Sequence, residues 1–148
     1  MTSPRLAARA VIVEEGRLLL VNAYPDGRSD LWCAPGGGIE AGTDIPSNLK
    51  REVHEETGLT IEVGPLVLLN EFHSSASGFH QVDLFFRATI LAGSIGEGWR
   101  DPAAVVTERR FFSEAELSAI RFKPDSLAKV AFGAGETVHY DALEELVV

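Results

Sequence analysis

The sequence predicts an α/β fold with a mixed β-sheet and few helices. Three observations carry that expectation. One stretch near residue 50 repeats apolar residues at every fourth position, several other runs are rich in β-branched residues or alternate apolar with polar, and Gly and Pro gather between them. The chain has 148 residues, 45% of them hydrophobic and 24% charged, which suffices for one core. No repeat and no Ser- or Pro-rich tract divides it, so residues 1–148 are expected to form a single domain.

Residues 6–13 and 17–22 are two apolar runs parted by Glu14, Glu15 and Gly16, the pattern of a hairpin entering a sheet. Between residues 24 and 42 stand Pro25, Pro35, Gly36, Gly37, Gly38 and Gly42, a density that forbids a helix and predicts a loop. Ile45, Leu49 and Val53 then recur at spacing four, with Lys50, Arg51, His54 and Glu55 on other faces: an amphipathic helix of about three turns. Thr43 or Asp44 can cap its start, Pro46 suits the first turn, and Gly58 can close its end.

Residues 59–72 and 79–91 are expected as strands. The second alternates Val82, Leu84, Phe86, Ala88 and Ile90 with Asp83, Phe85, Arg87 and Thr89, which predicts one buried face. Residues 105–112 form a further strand candidate, Ser113 with Glu116 makes a capping box, and residues 125–132 suit a last helix.

A net charge of −9 repels a phosphate backbone, so neither nucleic acid nor an anionic membrane is an expected partner. Cys33 is the only cysteine, which excludes an intrachain disulfide and a multi-cysteine zinc site and suits a reducing compartment. The opening apolar run is broken by Arg9 and closed by Glu14 and Glu15, too short and too charged for a signal or a membrane span. A cytoplasmic protein is expected.

The chemistry concentrates in residues 36–59, GGGIEAGTDIPSNLKREVHEETGL. On a helix Glu52, Glu55 and Glu56 sit at i, i+3 and i+4, so three carboxylates share one face while Leu49 and Val53 turn to the core. Like charges so placed repel, and Lys50 and Arg51 relieve only part of it. A hard divalent cation, Mg2+ or Mn2+, would neutralise the cluster through oxygen ligands. The glycines ahead of it let the backbone approach a ligand or metal closely. Such a metal can polarise phosphorus and lower the pKa of an attacking water, so phosphoryl-type hydrolysis follows.

The stretch resembles the box of the Nudix hydrolases: Gly37, then Arg51, Glu52, Val53, His54, Glu55, Glu56, Thr57, Gly58 and Leu59 at the family's spacing, with Thr43 where Glu is usual. Trp32, Pro35, Glu40 and Gly42 also look like common members of that family. The resemblance implies an α/β/α sandwich with a mixed sheet, with Glu52, Glu55, Glu56 and the Gly37 carbonyl as metal ligands and Arg51 orienting the carboxylates. It implies water attack on the pyrophosphate linkage of a nucleoside diphosphate joined to another moiety. The general base in several family members lies outside the box, and Glu97, Asp101 and Glu108 are the acidic candidates here. Thr43 removes one carboxylate in a usually supporting place and serves as a possible cap, so activity is expected to survive, with weaker metal affinity.

Tyr24, Arg28, Phe72, Phe79, Phe85, Trp99 and Arg100 are candidates for gripping the small-molecule nucleotide. Residues 74–77 are Ser, Ser, Ala and Ser where some subfamilies that prefer dinucleoside polyphosphates or ADP-ribose carry a Tyr or a Pro, which weakens those assignments. Neither the four histidines nor Cys33 forms a recognisable catalytic or metal motif, and packing or surface roles are expected for them. The rival reading is a non-catalytic Nudix-like sensor of a nucleotide or nucleotide sugar, which need not keep three glutamates. A homodimer is favoured over a monomer.

Overall fold

The computed structural model describes residues 3–96, 98–134 and 137–148. Its largest sheet has six strands, ordered β10-β6-β7-β1-β5 with β11 also on β6. These are β1 (Arg5–Val11), β5 (Gly36–Gly38), β6 (Thr60–His73), β7 (His80–Ala92), β10 (His139–Tyr140) and β11 (Glu144–Glu145). The sheet is mixed: β6 and β7 form an antiparallel hairpin, β1 runs parallel to β7, and β5 returns antiparallel along β1. A second antiparallel sheet joins β2 (Val13–Glu14), β3 (Arg17–Asn22) and β8 (Glu108–Ser113), and β4 (Leu31–Trp32) pairs with β9 (Arg121–Phe122).

Helix α1 (Ile45–Thr57) covers one face of the large sheet. Its Leu49 and Val53 pack with Ala8, Ala10, Ile12 and Ile61. On the opposite face Val11, Leu68 and Phe85 meet Phe112 of β8, with Leu117 of α2 (Glu114–Leu117) and Leu127 of α3 (Leu127–Phe132). This is the expected α/β/α layering. No helix among the described residues is long and apolar enough to cross a membrane.

Four expectations change. Residues 6–13 and 17–22 do not make one hairpin, because the chain changes sheets at Ile12. Only Val13–Glu14 pairs with β3, while β1 is sandwiched between β5 and β7, where Ala7, Ala8 and Ala10 are fully buried. The glycine run is a strand, β5, on the edge of the large sheet.

Finally, β7 buries both faces. Phe86, Ala88 and Ile90 lie under α1, while Gln81, Asp83 and Phe85 are buried on the other side. The polar pair is tolerated there because Gln81 Nε2 donates to Asp83 Oδ1 at 2.7 Å, Arg5 donates to Gln81 Oε1 at 2.6 Å, and Arg9 Nε lies 3.5 Å from Asp83 Oδ2. β8 starts at Glu108, later than the pattern predicts, because the amides of Val105 and Val106 are turned to the Asp101 carboxylate. The capping box at α2 is present as expected.

Candidate active site

The local sequence fixes α1 at both ends, and that fixes which way the glutamates face. Asp44, not Thr43, is the cap: its carboxylate accepts from the Ser47 amide at 2.9 Å. Gly58 closes the helix in the left-handed region at φ 79°. Leu49 and Val53, both 0% exposed, anchor the apolar stripe. Asn48, which sequence reasoning did not single out, ties the helix to the loop: its Nδ2 donates to the Gly38 carbonyl at 3.0 Å and its Oδ1 accepts from the Glu40 amide at 3.0 Å. A polar residue one place before the apolar anchor Leu49 was the available signal.

β5 fits between β1 and α1 because it has no side chains there. A Cβ on Gly36, whose φ is 151°, would lie 2.0 Å from the Ala8 carbonyl oxygen. A Cβ on Gly37 would lie 2.7 Å from Glu52 Oε2, so the Gly37 backbone stands directly against that carboxylate.

The three glutamates differ in environment. Glu56 is 9% exposed, and its Oε2 accepts from the Gly36 amide at 3.0 Å. Burial pushes its pKa up to about 8, against the opposing pull of Arg9 and of the Gly36 N–H, and the charges of Glu52 and Asp101 push the same way as burial. Glu52 is also raised, by burial first and by Glu55, with Arg51 working against the shift. Arg51 bridges the set: Nη1 donates to Glu55 Oε1 at 3.0 Å, and Nη2 lies 3.2 Å from Glu52 Oε1 and 3.3 Å from Glu40 Oε1. Thr43 is exposed, and the loop carboxylate that meets Arg51 is Glu40.

The segment before β8 wraps the end of α1. Trp99 Nε1 donates to the Glu55 carbonyl at 2.9 Å, and its ring packs on Gly58, where a Cβ would lie 2.9 Å from it, and meets His54 edge-on at 5.2 Å. Trp99 is thus a clasp on α1. Arg109 donates to the Glu56 carbonyl and, at 3.3 Å, to that of Val106. Among the outside-box acids, Asp101 is buried and accepts from the amides of Ala103, Val105 and Val106 at 2.9, 3.2 and 2.9 Å, which makes it an organiser of its loop. Glu108 is exposed beside Arg109, and Glu97 lies outside the described residues.

Among the described residues, no three His, Cys, Asp or Glu side chains converge at metal-ligand distance. The donor chemistry nevertheless fits a hard divalent cation. Glu52 and Glu56 each feel the other's charge or that of Glu55, and burial disfavours the ionised form of Glu56 in spite of Arg9 and the Gly36 amide.

Across β1 and β5, Arg9 pairs in register with Gly36, the residue that donates to Glu56. Arg9 Nη1 donates to the Ala34 carbonyl at 3.2 Å, and its guanidinium faces a pocket of about 110 Å³ on the side of the sheet away from α1. Of the predicted substrate contacts, Tyr24, Phe72 and Phe85 line this pocket, Phe85 as its buried floor, and Phe79 packs on Phe72 at 6.2 Å. Cys33 also lines it, and burial raises its thiol pKa, which fits a packing role. Sequence reasoning missed Arg9 and Asp83 here; the available signal was opposite charge inside two runs rich in apolar residues, Arg9 in β1 and Asp83 in β7.

Residues 3–134 match the family model of the NUDIX domain. A MutT-like protein of Streptomyces ambofaciens is 39% identical over 131 residues, 81% of this chain and 77% of its own. A Bacillus subtilis protein that bears the name "Putative ADP-ribose pyrophosphatase YjhB" is 24% identical over 132 residues. That match takes in 87% of this chain, which spans only 60% of the relative's length. A NUDIX hydrolase structure from Nitrosomonas europaea superposes with a TM-score of 0.76 at 21% identity, covering 92% of this chain and 93% of that one, a likeness of fold.

Proposed function

The chain belongs to the Nudix family, and from that premise we propose a pyrophosphohydrolase, one domain over residues 1–148, that cleaves the pyrophosphate linkage of a nucleoside diphosphate joined to another moiety. The observation that carries this reading is the joined set of β5 and α1: Glu56 on the Gly36 amide, Glu52 against Gly37, and Arg51 across Glu52 and Glu55. Glu52, Glu55, Glu56 and the Gly37 carbonyl would hold Mg2+ or Mn2+. When bound, the cation neutralises phosphate oxygens and acidifies a water.

Arg51 holds Glu52 and Glu55 in place through charge-assisted hydrogen bonds. Glu56 is positioned by the Gly36 amide and kept from bulk water by the packing around it. Water attacks one phosphorus, the bridging P–O bond breaks with its electrons going to the leaving phosphate, and the water's proton passes to a carboxylate of the set. Asp101 is unsuited to that transfer because its two oxygens are committed to three amides.

ADP-ribose is the first substrate to try, on the strength of the relative's name. A homodimer belongs to the same reading: Leu91 and Val148 leave apolar surface at 62% and 67% exposure, and light scattering tests it. The function is tested by a product-resolved screen with Mg2+ and Mn2+ over ADP-ribose, nucleoside triphosphates, nucleotide sugars and dinucleoside polyphosphates. The expected result is cleavage that disappears in Glu56→Gln. No cleavage beyond that variant, with binding of one of these ligands, would replace the enzyme with the sensor.

A further inference from the structure

We propose that His73, His80, Glu71 and Glu145 form a second cation site, for a borderline transition ion of the Zn2+ class, which clasps the C-terminal strand β11 to the hairpin of β6 and β7. The site lies apart from the glutamate face of α1 and does not depend on the hydrolase reading.

The hairpin brings the two imidazoles together. His73 and His80 are register partners, and one pair nearer the turn the Ser74 amide donates to the Phe79 carbonyl at 2.8 Å. Hydrogen-bonded and non-hydrogen-bonded pairs alternate along an antiparallel ladder, so 73 and 80 are a non-hydrogen-bonded pair, the kind whose side chains approach most closely. Their ring centroids are 6.5 Å apart. Two carboxylates share that face: Glu71 stands two residues before His73 on β6, and Glu145 of β11 pairs in register with His73.

Each imidazole faces one of those carboxylates. His80 Nε2 lies 3.4 Å from Glu71 Oε1, and His73 Nε2 lies 3.5 Å from Glu145 Oε2. Both separations are long for a hydrogen bond. They match a coordination edge, because tetrahedral Zn2+ with bonds of about 2.1 Å sets neighbouring donor atoms about 3.4 Å apart. His80 Nε2 is moreover shut off from solvent and has no hydrogen-bond partner among the described residues, an unsatisfied nitrogen that a cation would satisfy.

The other oxygen of each carboxylate is held from behind. Glu71 Oε2 accepts from the Tyr140 hydroxyl of β10, and Glu145 Oε1 accepts from the amide and hydroxyl of Ser75 at 2.9 and 3.1 Å. Each carboxylate therefore keeps one oxygen toward an imidazole while a partner orients it through the other, as outer-shell groups orient metal ligands. The two histidine and carboxylate pairs do not share one centre as they stand. The imidazoles are 37% and 33% exposed, which leaves them room to turn toward a common ion.

The donor set also selects the ion. Two neutral imidazoles and two carboxylates balance a dication, and imidazole suits Zn2+, whereas the all-oxygen face of α1 suits Mg2+. With ligands drawn from β6, β7 and β11, the ion's role is structural.

The test is calorimetry with Zn2+ on Glu56→Gln in excess Mg2+, which keeps Zn2+ from the α1 face. A single equivalent is expected to bind and to raise the unfolding midpoint by about 3 °C or more. His73→Gln and His80→Gln should each weaken binding about tenfold or more, and Co2+ should show the visible absorption of a tetrahedral site that both variants lose. Glu71→Gln keeps an acceptor for Tyr140 and should weaken binding by as much, which covers a histidine variant that fails to fold. His54→Gln, an imidazole outside the cluster, should leave the affinity unchanged. No saturable Zn2+ binding, or equal affinity with and without the two histidines, overturns the assignment.

Discussion

The two sides of β1 were built by different rules. Toward α1, the carboxylates and the glycines that meet them come from 24 consecutive positions, Gly36 to Leu59, whose caps, spacing and glycines fix the geometry locally. Away from α1, the Arg9 pocket is assembled from β1, β4, β6, β7, Lys123 and Pro124 and the C-terminal segment, residues far apart in the chain. A site made within one helix and its leading strand keeps its chemistry whenever the local pattern is kept. A site made by sheet pairing can change its lining residues without disturbing that pattern. Under the proposed function the reaction chemistry belongs to the first side.

The largest effect expected is on the α1 side. Glu56→Gln or Glu55→Gln should lower turnover by about two orders of magnitude or more with the fold intact, checked by steady-state rates beside circular dichroism. An undiminished rate would take that residue off the catalytic set. Next comes Gly36→Ala, which forces a methyl onto the Ala8 carbonyl and should cost about 3 kcal/mol or more of stability, read by denaturant unfolding. On the pocket side, Asp83→Ala leaves Arg9 half-buried without its carboxylate and should cost about 3 kcal/mol, with the rate on a minimal substrate changed far less than its KM. A fall in turnover matching that of Glu56→Gln would erase the division between the two sides.

The pH dependence sharpens the comparison. Glu56 has a folded pKa of about 8 against an ordinary 4.5, so the fold prefers it protonated. The metal-free protein should hold that contribution fully below pH 4.5 and lose it progressively as pH rises through about 8. Added Mg2+ should restore stability at the alkaline end, and Glu56→Gln should show neither effect in a thermal unfolding series. The smallest effect belongs to Thr43→Glu. Thr43 is exposed and Glu40 already meets Arg51, so a change in activity below about threefold is expected. A larger gain would mean that the departure at 43 tunes the site after all.

Much of the α1 side was legible in the sequence because its determinants are near neighbours: apolar spacing, caps, and carboxylates at i, i+3 and i+4. Even there, the cap fell to Asp44 over Thr43, and Asn48 went unnoticed because a buried amide leaves no periodic trace. The pocket side was mostly illegible. The alternation in β7 predicted one buried face, yet Asp83 and Gln81 are buried because Arg5 and Arg9 stand beside them on β1, a parallel pairing no local pattern announces. The switch of sheets at Ile12 and the two-residue strands β10 and β11 were hidden for the same reason, since their partners lie across the chain.

The account stands on the glutamate face of α1 being a divalent-cation site. The most direct measurement is a Mn2+ titration at pH 7 followed by electron paramagnetic resonance, with proton release recorded in parallel, for the parent and for Glu56→Gln. The account predicts saturable binding accompanied by proton release in the parent, because a carboxyl with a pKa near 8 must ionise to ligate, and both lost or strongly weakened in the variant. Equal Mn2+ affinity in the two proteins, with no proton released, would contradict it.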